Sequence, residues 1–522
     1  MLSFIFFILG CKDGAKEQKP AEPEKLPNII YVLADDLGYG DVNAFNLDGK
    51  IKTPNIDKIA SEGMKFTDAH TSSAVCTPTR YGILTGRYNW RSPLKQGVLT
   101  GVSKALIPNS RMTTASLLKK SGYNTAFIGK WHLGWDWALT EGDSVNGTGW
   151  NATDFENIDF SKPITNGPKD LGFDYSYGHS GSLDMAPYVY VENGMPTTIP
   201  TKTTVDKGKY TWWREGPTGN DFEHNDVTPN FFRRSFDFIR EAATSENPFY
   251  LYLALPSPHT PILPNEGWLG KSGLNPYADF VMQIDDYMGK LTDLLEKQGV
   301  AENTILIFTS DNGCSPEADF DILGDKGHDP SGIYRGHKAD IYEGGHRVPF
   351  IVKWPKKIVA GTTSDKTICT TDFLSTCAEI VNVDLKSNEG EDSFSMLPLF
   401  DKNSNVFFER EATVHSSING SFAIRKGKYK LIMAPGSGGW SNPKPKTPEI
   451  EGLPPFQLYD LSSDPGELNN LYVTNRWVAA ELETILLRTI KNGRSTDGQT
   501  QKNDSTLNNK DWKQLEVFDN EY

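Results

Sequence analysis

Residues 28–34, Asn-Ile-Ile-Tyr-Val-Leu-Ala, form an almost unbroken apolar run that stops at Asp35-Asp36. A strand covered on both faces reads this way, so the run predicts a central parallel strand ending in two acids. The pattern repeats. Residues 125–129 run into Lys130-Trp131-His132, residues 249–255 into Pro256-Ser257-Pro258-His259, and residues 304–309 into Ser310-Asp311-Asn312-Gly313. Residues 350–352 offer a fifth strand. Helical signals lie between them, at 54–61 closed by Gly63, at 113–120 and at 277–297. In the last of these, Phe280, Ile284, Met288, Leu291 and Leu295 recur at three- and four-residue spacing. Strand, polar residues, then helix or long loop is the order of an open α/β sheet, with ligands beyond the strand C-termini.

Other stretches lack this order. Residues 135–235 are rich in Gly, Asn, Asp, Thr and aromatics with little periodicity, and are expected as ordered insertions over the sheet rim. Past residue 385, short strands are expected at 407–410, 421–424 and 429–433, and a helix at 476–489 packed on them. Trp512, Leu515, Val517 and Phe518 are expected to dock from a polar tail. The fold class is therefore α/β: a large, mostly parallel sheet sandwiched by helices, with a smaller C-terminal antiparallel sheet plus helix. The expected divisions are 1–26, 27–385 and 386–522. No glycine-rich dinucleotide fingerprint, phosphate-loop motif or repeat is present.

A net charge of −14 argues against nonspecific nucleic-acid binding, though a local cationic pocket can still take an anion. Twelve Trp and twenty Tyr suit a carbohydrate-facing surface. Five Cys do not make a disulfide framework, and a bond between Cys369 and Cys377, eight apart, stays open. The start is too short an apolar run to cross a bilayer. Its Leu9-Gly10-Cys11 resembles a bacterial lipoprotein signal, without the basic residues that usually precede one. A lipid anchor at Cys11, a polar tether over 12–25, and a periplasmic or cell-surface location follow as expectations, with secretion as the alternative.

The candidate chemistry centres on Cys76-Thr77-Pro78-Thr79-Arg80. Pro78 suits a first helical turn, Ile83 and Leu84 supply a buried face, and Gly86 a stop. Cys76 then sits where free backbone N–H groups favour an anion, with Arg80 on the same side of the first turn. From spacing alone, a buried Cys beside a surface Arg is the favoured reading. The paired ends Asp35-Asp36 and Asp311-Asn312 offer four oxygen ligands, which suit Ca²⁺ or Mg²⁺ and not Zn²⁺.

Cys-x-Pro-x-Arg followed by Leu84-Thr85-Gly86-Arg87 resembles the signature of the type I sulfatases, members of the alkaline-phosphatase-like superfamily. The likeness covers roughly residues 27–355, with a further match near 458–471. It implies oxidation of Cys76 to formylglycine (3-oxoalanine) by a maturation enzyme, and hydrolysis of a sulfate monoester with release of sulfate. It implies a metal site of Asp35, Asp36, Cys76, Asp311 and Asn312, usually holding Ca²⁺. It also implies that Arg80 and Lys130 balance the charge at residue 76 and that His132 acts as a base. Lys338 and His259 would bind the sulfate, one of them protonating the leaving oxygen. Related phosphatases and phosphonate hydrolases share the sheet, so phosphate or phosphonate ester hydrolysis is one alternative. A silent sulfated-glycan-binding lipoprotein with unmodified Cys76 is another. An exported bacterial member would act on a sulfated galactose or N-acetylgalactosamine unit. His179, Asp184, Trp212, Trp213, His224, Arg335, His346 and His415 are the candidate sugar contacts.

Overall fold

The computed structural model of the 522-residue chain describes residues 25–401, 408–504 and 512–518. Cys11, nearly all of the expected tether, and residue 407 lie outside the described residues. No helix among the described residues is long and apolar enough to cross a membrane.

The apolar runs become the middle of one ten-stranded sheet. Asn28–Asp35 lies at its centre, parallel to Thr304–Ser310 on one side and to Phe249–Pro258 on the other. Asn124–Lys130 follows Phe249–Pro258, again parallel. Every residue of Phe249–Pro258 and of Thr304–Ser310 is buried, which is why these strands read as unbroken apolar runs. Phe350–Lys353 forms as expected but runs antiparallel to Thr304–Ser310. Met64–Phe66 and Thr362–Ser364 complete that edge. Pro276–Lys297 buries Phe280, Ile284, Met288, Leu291 and Leu295, as its periodicity requires.

The stretch 135–235, expected as ordered insertion over the rim, also adds strands to the main sheet. Tyr175–His179 joins the main sheet parallel to Asn124–Lys130, and Val191–Glu192 and Met195–Pro196 extend it antiparallel. Lys202–Asp206 and Trp213–Thr218 form a separate hairpin. Val227–Ala242 is a helix whose Val227, Phe231, Phe232, Ser235 and Ile239 face inward. The remainder is loop over the rim.

The C-terminal sheet orders Thr413–Ser416, Phe422–Lys426, Tyr429–Ile432 and Gln457–Asp460, all antiparallel. Its first strand begins at Thr413, because residues 408–410 are irregular and Arg410 turns inward to the buried Asp372. Arg476–Lys491 covers this sheet with Leu482, Leu486 and Ile490. Trp512, Leu515 and Phe518 dock as expected, whereas Val517 stays 40% exposed. Cys369 and Cys377 are free, buried thiols, so no disulfide joins them.

The two sheets meet just ahead of Cys76. Ala74 N donates to Ser416 O (2.9 Å), and Ser416 N donates to Ser72 O (3.1 Å). The C-terminal strand thus fixes the approach to the helix that starts at residue 76.

Candidate active site

The helix runs Cys76–Thr85 and is buried throughout. Gly86 ends it at φ 62°, a left-handed position that glycine adopts without strain. Thr79 Oγ1 donates back to Ser73 O (2.9 Å), tightening the first turn. Cys76 is 2% exposed. Burial first, and then the acids Asp311 and Asp35, push its thiol up to about 12 despite Lys130 and Lys338. Arg80 is fully buried, with Nε and Nη2 donating to Asp311 Oδ2 (3.0 and 2.8 Å) and Nη1 to Lys130 O (2.9 Å). One guanidinium therefore ties three elements together: the helix, the end of Thr304–Ser310 and the end of Asn124–Lys130.

Adjacent parallel strands bring the acid pairs together. Asp36 N donates to Asp311 Oδ1 (3.3 Å), and Asn312 Nδ2 donates to Asp36 Oδ1 (2.7 Å). Asp35, Asp36, Cys76 and His259 offer ligand atoms within 4.8 Å of one another. Lys130 Nζ lies 2.5 Å from Asp35 Oδ2, and Lys338 Nζ lies 2.7 Å from Asp36 Oδ2. Burial opposes ionisation of Asp35, but Lys130, His259, Arg80 and Lys338 together hold its carboxyl well below the usual range. Burial and the neighbouring Asp35 lift Asp311 to about 6. Asp35 Oδ1 and Asn312 Oδ1 are buried acceptors without a hydrogen-bond partner. Orphaned oxygens facing a cluster of carboxylates fit a hard cation.

His132 sits at φ 54°, just past the strand. Its Nε2 bonds Leu99 O (2.8 Å), which makes Nε2 the protonated nitrogen and leaves the buried Nδ1 unpartnered. Burial, and then Lys130 and Arg80, hold its pKa well below the ordinary value, so the ring is neutral. His259 Nε2 lies 3.7 Å from Asp36 Oδ2. Ser182, absent from the sequence-based candidates, stands between Lys130 and His259: it accepts from Lys130 Nζ at 3.2 Å and contacts the His259 ring at 3.3–3.4 Å. It follows a strand whose Ser176, Gly178 and His179 hide it from an apolar-run search.

These groups open into one cavity of about 740 Å³, lined by Cys76, His132, His259 and Lys338. Asp184 and Trp212 of the candidate sugar contacts reach it. Arg214 and Trp150 reach it too, and neither stood among the candidates. The Arg214 guanidinium pairs with Asp184 and packs over Trp150 and Trp212 at 4.5 and 4.6 Å. The other six candidates lie elsewhere. His179 is buried against Phe231, ring to ring at 5.8 Å. Trp213 and His224 stack on each other at 3.9 Å. Arg335 lies over Tyr342 and donates to Glu467 O. His346 and His415 are wholly buried and stacked at 4.0 Å between the two sheets. Each of these six is taken up by packing or pairing, which a sequence pattern does not display.

A family model described as Sulfatase matches residues 27–383, and a second, described as N-sulphoglucosamine sulphohydrolase, C-terminal, matches 335–440. The chain is 33% identical to an N-acetylgalactosamine-6-O-sulfatase of Bacteroides thetaiotaomicron, over 93% of this chain and 97% of that one. It is 30% identical to human arylsulfatase A, over 85% and 83% of the two chains. A solved structure from work on the metabolism of multiple glycosaminoglycans by Bacteroides thetaiotaomicron superposes with a TM-score of 0.76 at 31% identity, covering 89% of this chain and 99% of that one.

Proposed function

The chain belongs to the sulfatase family, and from that premise we propose that it removes sulfate from a 6-sulfated N-acetylgalactosamine or galactose unit of a glycan. Hydrolysis of sulfate esters is the activity of the family. The choice of sugar is supported by the relative that matches nearly end to end. One observation carries the catalytic reading: Cys76, Asp35, Asp36 and His259 converge on one point, with Arg80 locked to Asp311 beside it.

Maturation of Cys76 to formylglycine would supply a hydrated aldehyde, whose two hydroxyls serve attack on sulfur and later release of sulfate. Asp35, Asp36, Asp311 and Asn312 would hold Ca²⁺, which supplies charge that polarises the sulfate oxygens. The chain's own residues do the rest. Arg80 and Lys130 keep fixed positive charge at residue 76, where an anionic group gathers. Lys338 and His259 face the place of the sulfate head and donate to its oxygens or to the departing sugar oxygen. His132, neutral and with Nδ1 free, accepts a proton at that atom. Export on a lipid at Cys11 completes the proposal, and loss of acyl labelling in Cys11→Ser tests it.

Peptide mass spectrometry of the segment holding residue 76, in active protein from its native host, tests the maturation. An unmodified Cys mass there sinks the mechanism. Cys76→Ala is expected to abolish turnover. A panel of sulfated sugars beside phosphate and phosphonate esters is expected to show a preference for the 6-sulfated hexosamine, and a faster phosphonate ester would overturn the assignment.

A further inference from the structure

The loop that carries Lys338 is clamped from two sides. Ala339 N donates to Ala74 O (2.8 Å), and Ala339 O accepts from Ile418 N (3.0 Å). Asp340 next to it is fully buried. Its Oδ2 accepts from His337 N (3.0 Å), while its Oδ1 accepts from Trp440 N (2.7 Å) and Ser441 N (3.0 Å). Ile341 N donates to Ser437 O (2.8 Å). Gly439 passes so close that a Cβ there would lie 2.4 Å from Ala339 O. The backbone at Trp440 is therefore fixed to the same frame that holds Lys338 and the approach to Cys76.

Its indole is not covered in the same way. Trp440 is 37% exposed and lines the cavity that holds Cys76, His132, His259 and Lys338. Trp150 and Trp212 in the same cavity each carry the Arg214 guanidinium over the ring. Among the described residues, no aromatic ring and no cation packs over Trp440. A rigid backbone presenting a bare indole at a cavity wall suits a ligand with a flat apolar face. The C–H face of a pyranose is such a surface. The ring bearing the sulfate must reach down to Cys76, which is 2% exposed, so a residue nearer the solvent meets the next unit along.

We propose that Trp440 is a stacking platform for the neighbouring sugar, so that the substrate class is a sulfated oligosaccharide and not a free monosaccharide. This rests on the sulfatase reading above. Asp340 acts here as a positioning residue for the platform.

The test uses matured full-length protein, Trp440→Ala and Trp440→Phe. The substrates are N-acetylgalactosamine 6-sulfate and a tetrasaccharide carrying the same unit. For Trp440→Ala, kcat/KM on the tetrasaccharide is expected to fall about tenfold further than on the monosaccharide, mainly through KM. Trp440→Phe, which restores a flat ring, is expected to recover most of that difference. Equal losses on both substrates would show a structural role and overturn the proposal, as would no loss on either. Wild-type protein inert on both sugars would overturn the sugar assignment itself, and the platform with it.

Discussion

Arg80 acts as a fork more than as a charge. Its three bonds reach Asp311 and the Lys130 carbonyl in fixed directions, which a single ammonium cannot copy. Arg80→Lys is expected to keep the charge and still lose about 100-fold in kcat/KM, because Asp311 and the end of Asn124–Lys130 lose their common anchor. Arg80→Ala leaves a buried carboxylate unpaired and is expected to cost about 3–5 kcal/mol. Kinetics and urea denaturation of both variants check this, and a Lys variant within about threefold of wild type would refute the fork argument. The Cys, the Arg and the acid pairs were legible in the chain because each is a local word: a helix start, or two residues at a strand end. Ser182 and Trp440 were not. Each becomes part of the cavity only through contacts between distant segments, and neither stands in a local pattern that marks it.

The elements divide in the same way. Strands buried on both faces declare themselves, and Asn28–Asp35, Phe249–Pro258 and Thr304–Ser310 all lie where the apolar runs place them. Tyr175–His179 contains Ser, Gly and His, so its place in the sheet follows from pairing and not from hydropathy. Val227–Ala242 was legible in principle, since its buried residues recur at helical spacing, but it starts inside a stretch dominated by loop composition. Gly129 shows why one strand end needs a particular residue. It adopts φ 133°, and a Cβ there would lie 1.8 Å from Ala254 O of the adjoining strand. Gly129→Ala must therefore push apart two central strands directly before Lys130 and His132. A loss of about 3 kcal/mol in stability is expected, with sulfatase turnover falling below detection. Gly122→Ala, also at positive φ but with open space around it, is the control for backbone strain alone. Similar losses in both would place the effect in strain and not in the close approach.

At the scale of the whole molecule, the C-terminal sheet is joined to the main sheet through a buried polar seam. His70 Nδ1 meets His346 Nδ1 at 3.0 Å, and the His415 ring stacks on His346. Lys430 reaches across to Glu343 (3.1 Å) and Glu467 (2.9 Å), while Arg347 and Arg425 pair with Asp68 at 3.1 and 2.6 Å. Burial is the main cause that pulls all three imidazoles below the ordinary histidine value. A group depressed in this way binds its proton more readily in the unfolded chain. Stability contributed by neutral imidazoles is thus present above pH 6.5 and is lost as the pH falls below it. Glu467 works in the opposite sense. Burial and Glu343 raise its carboxyl to about 7, so from there down to its unfolded value it holds a proton that the unfolded chain does not. Within the seam, three depressed imidazoles against one raised carboxyl leave the unfolded state the more protonated as the pH falls below 6.5. Each imidazole that stays neutral contributes a fall in unfolding free energy of at most about 1.4 kcal/mol per pH unit. Glu343 stays ionised through this window, its carboxyl held low against burial chiefly by Lys430. His415→Phe keeps the stacked ring and removes one titrating site, so it should lower the slope by up to about 1.4 kcal/mol per pH unit. Urea denaturation at pH 7.5, 6.5 and 5.5 measures the slope for both proteins. An unchanged slope in the variant would mean that acid sensitivity arises elsewhere than in the seam between the sheets.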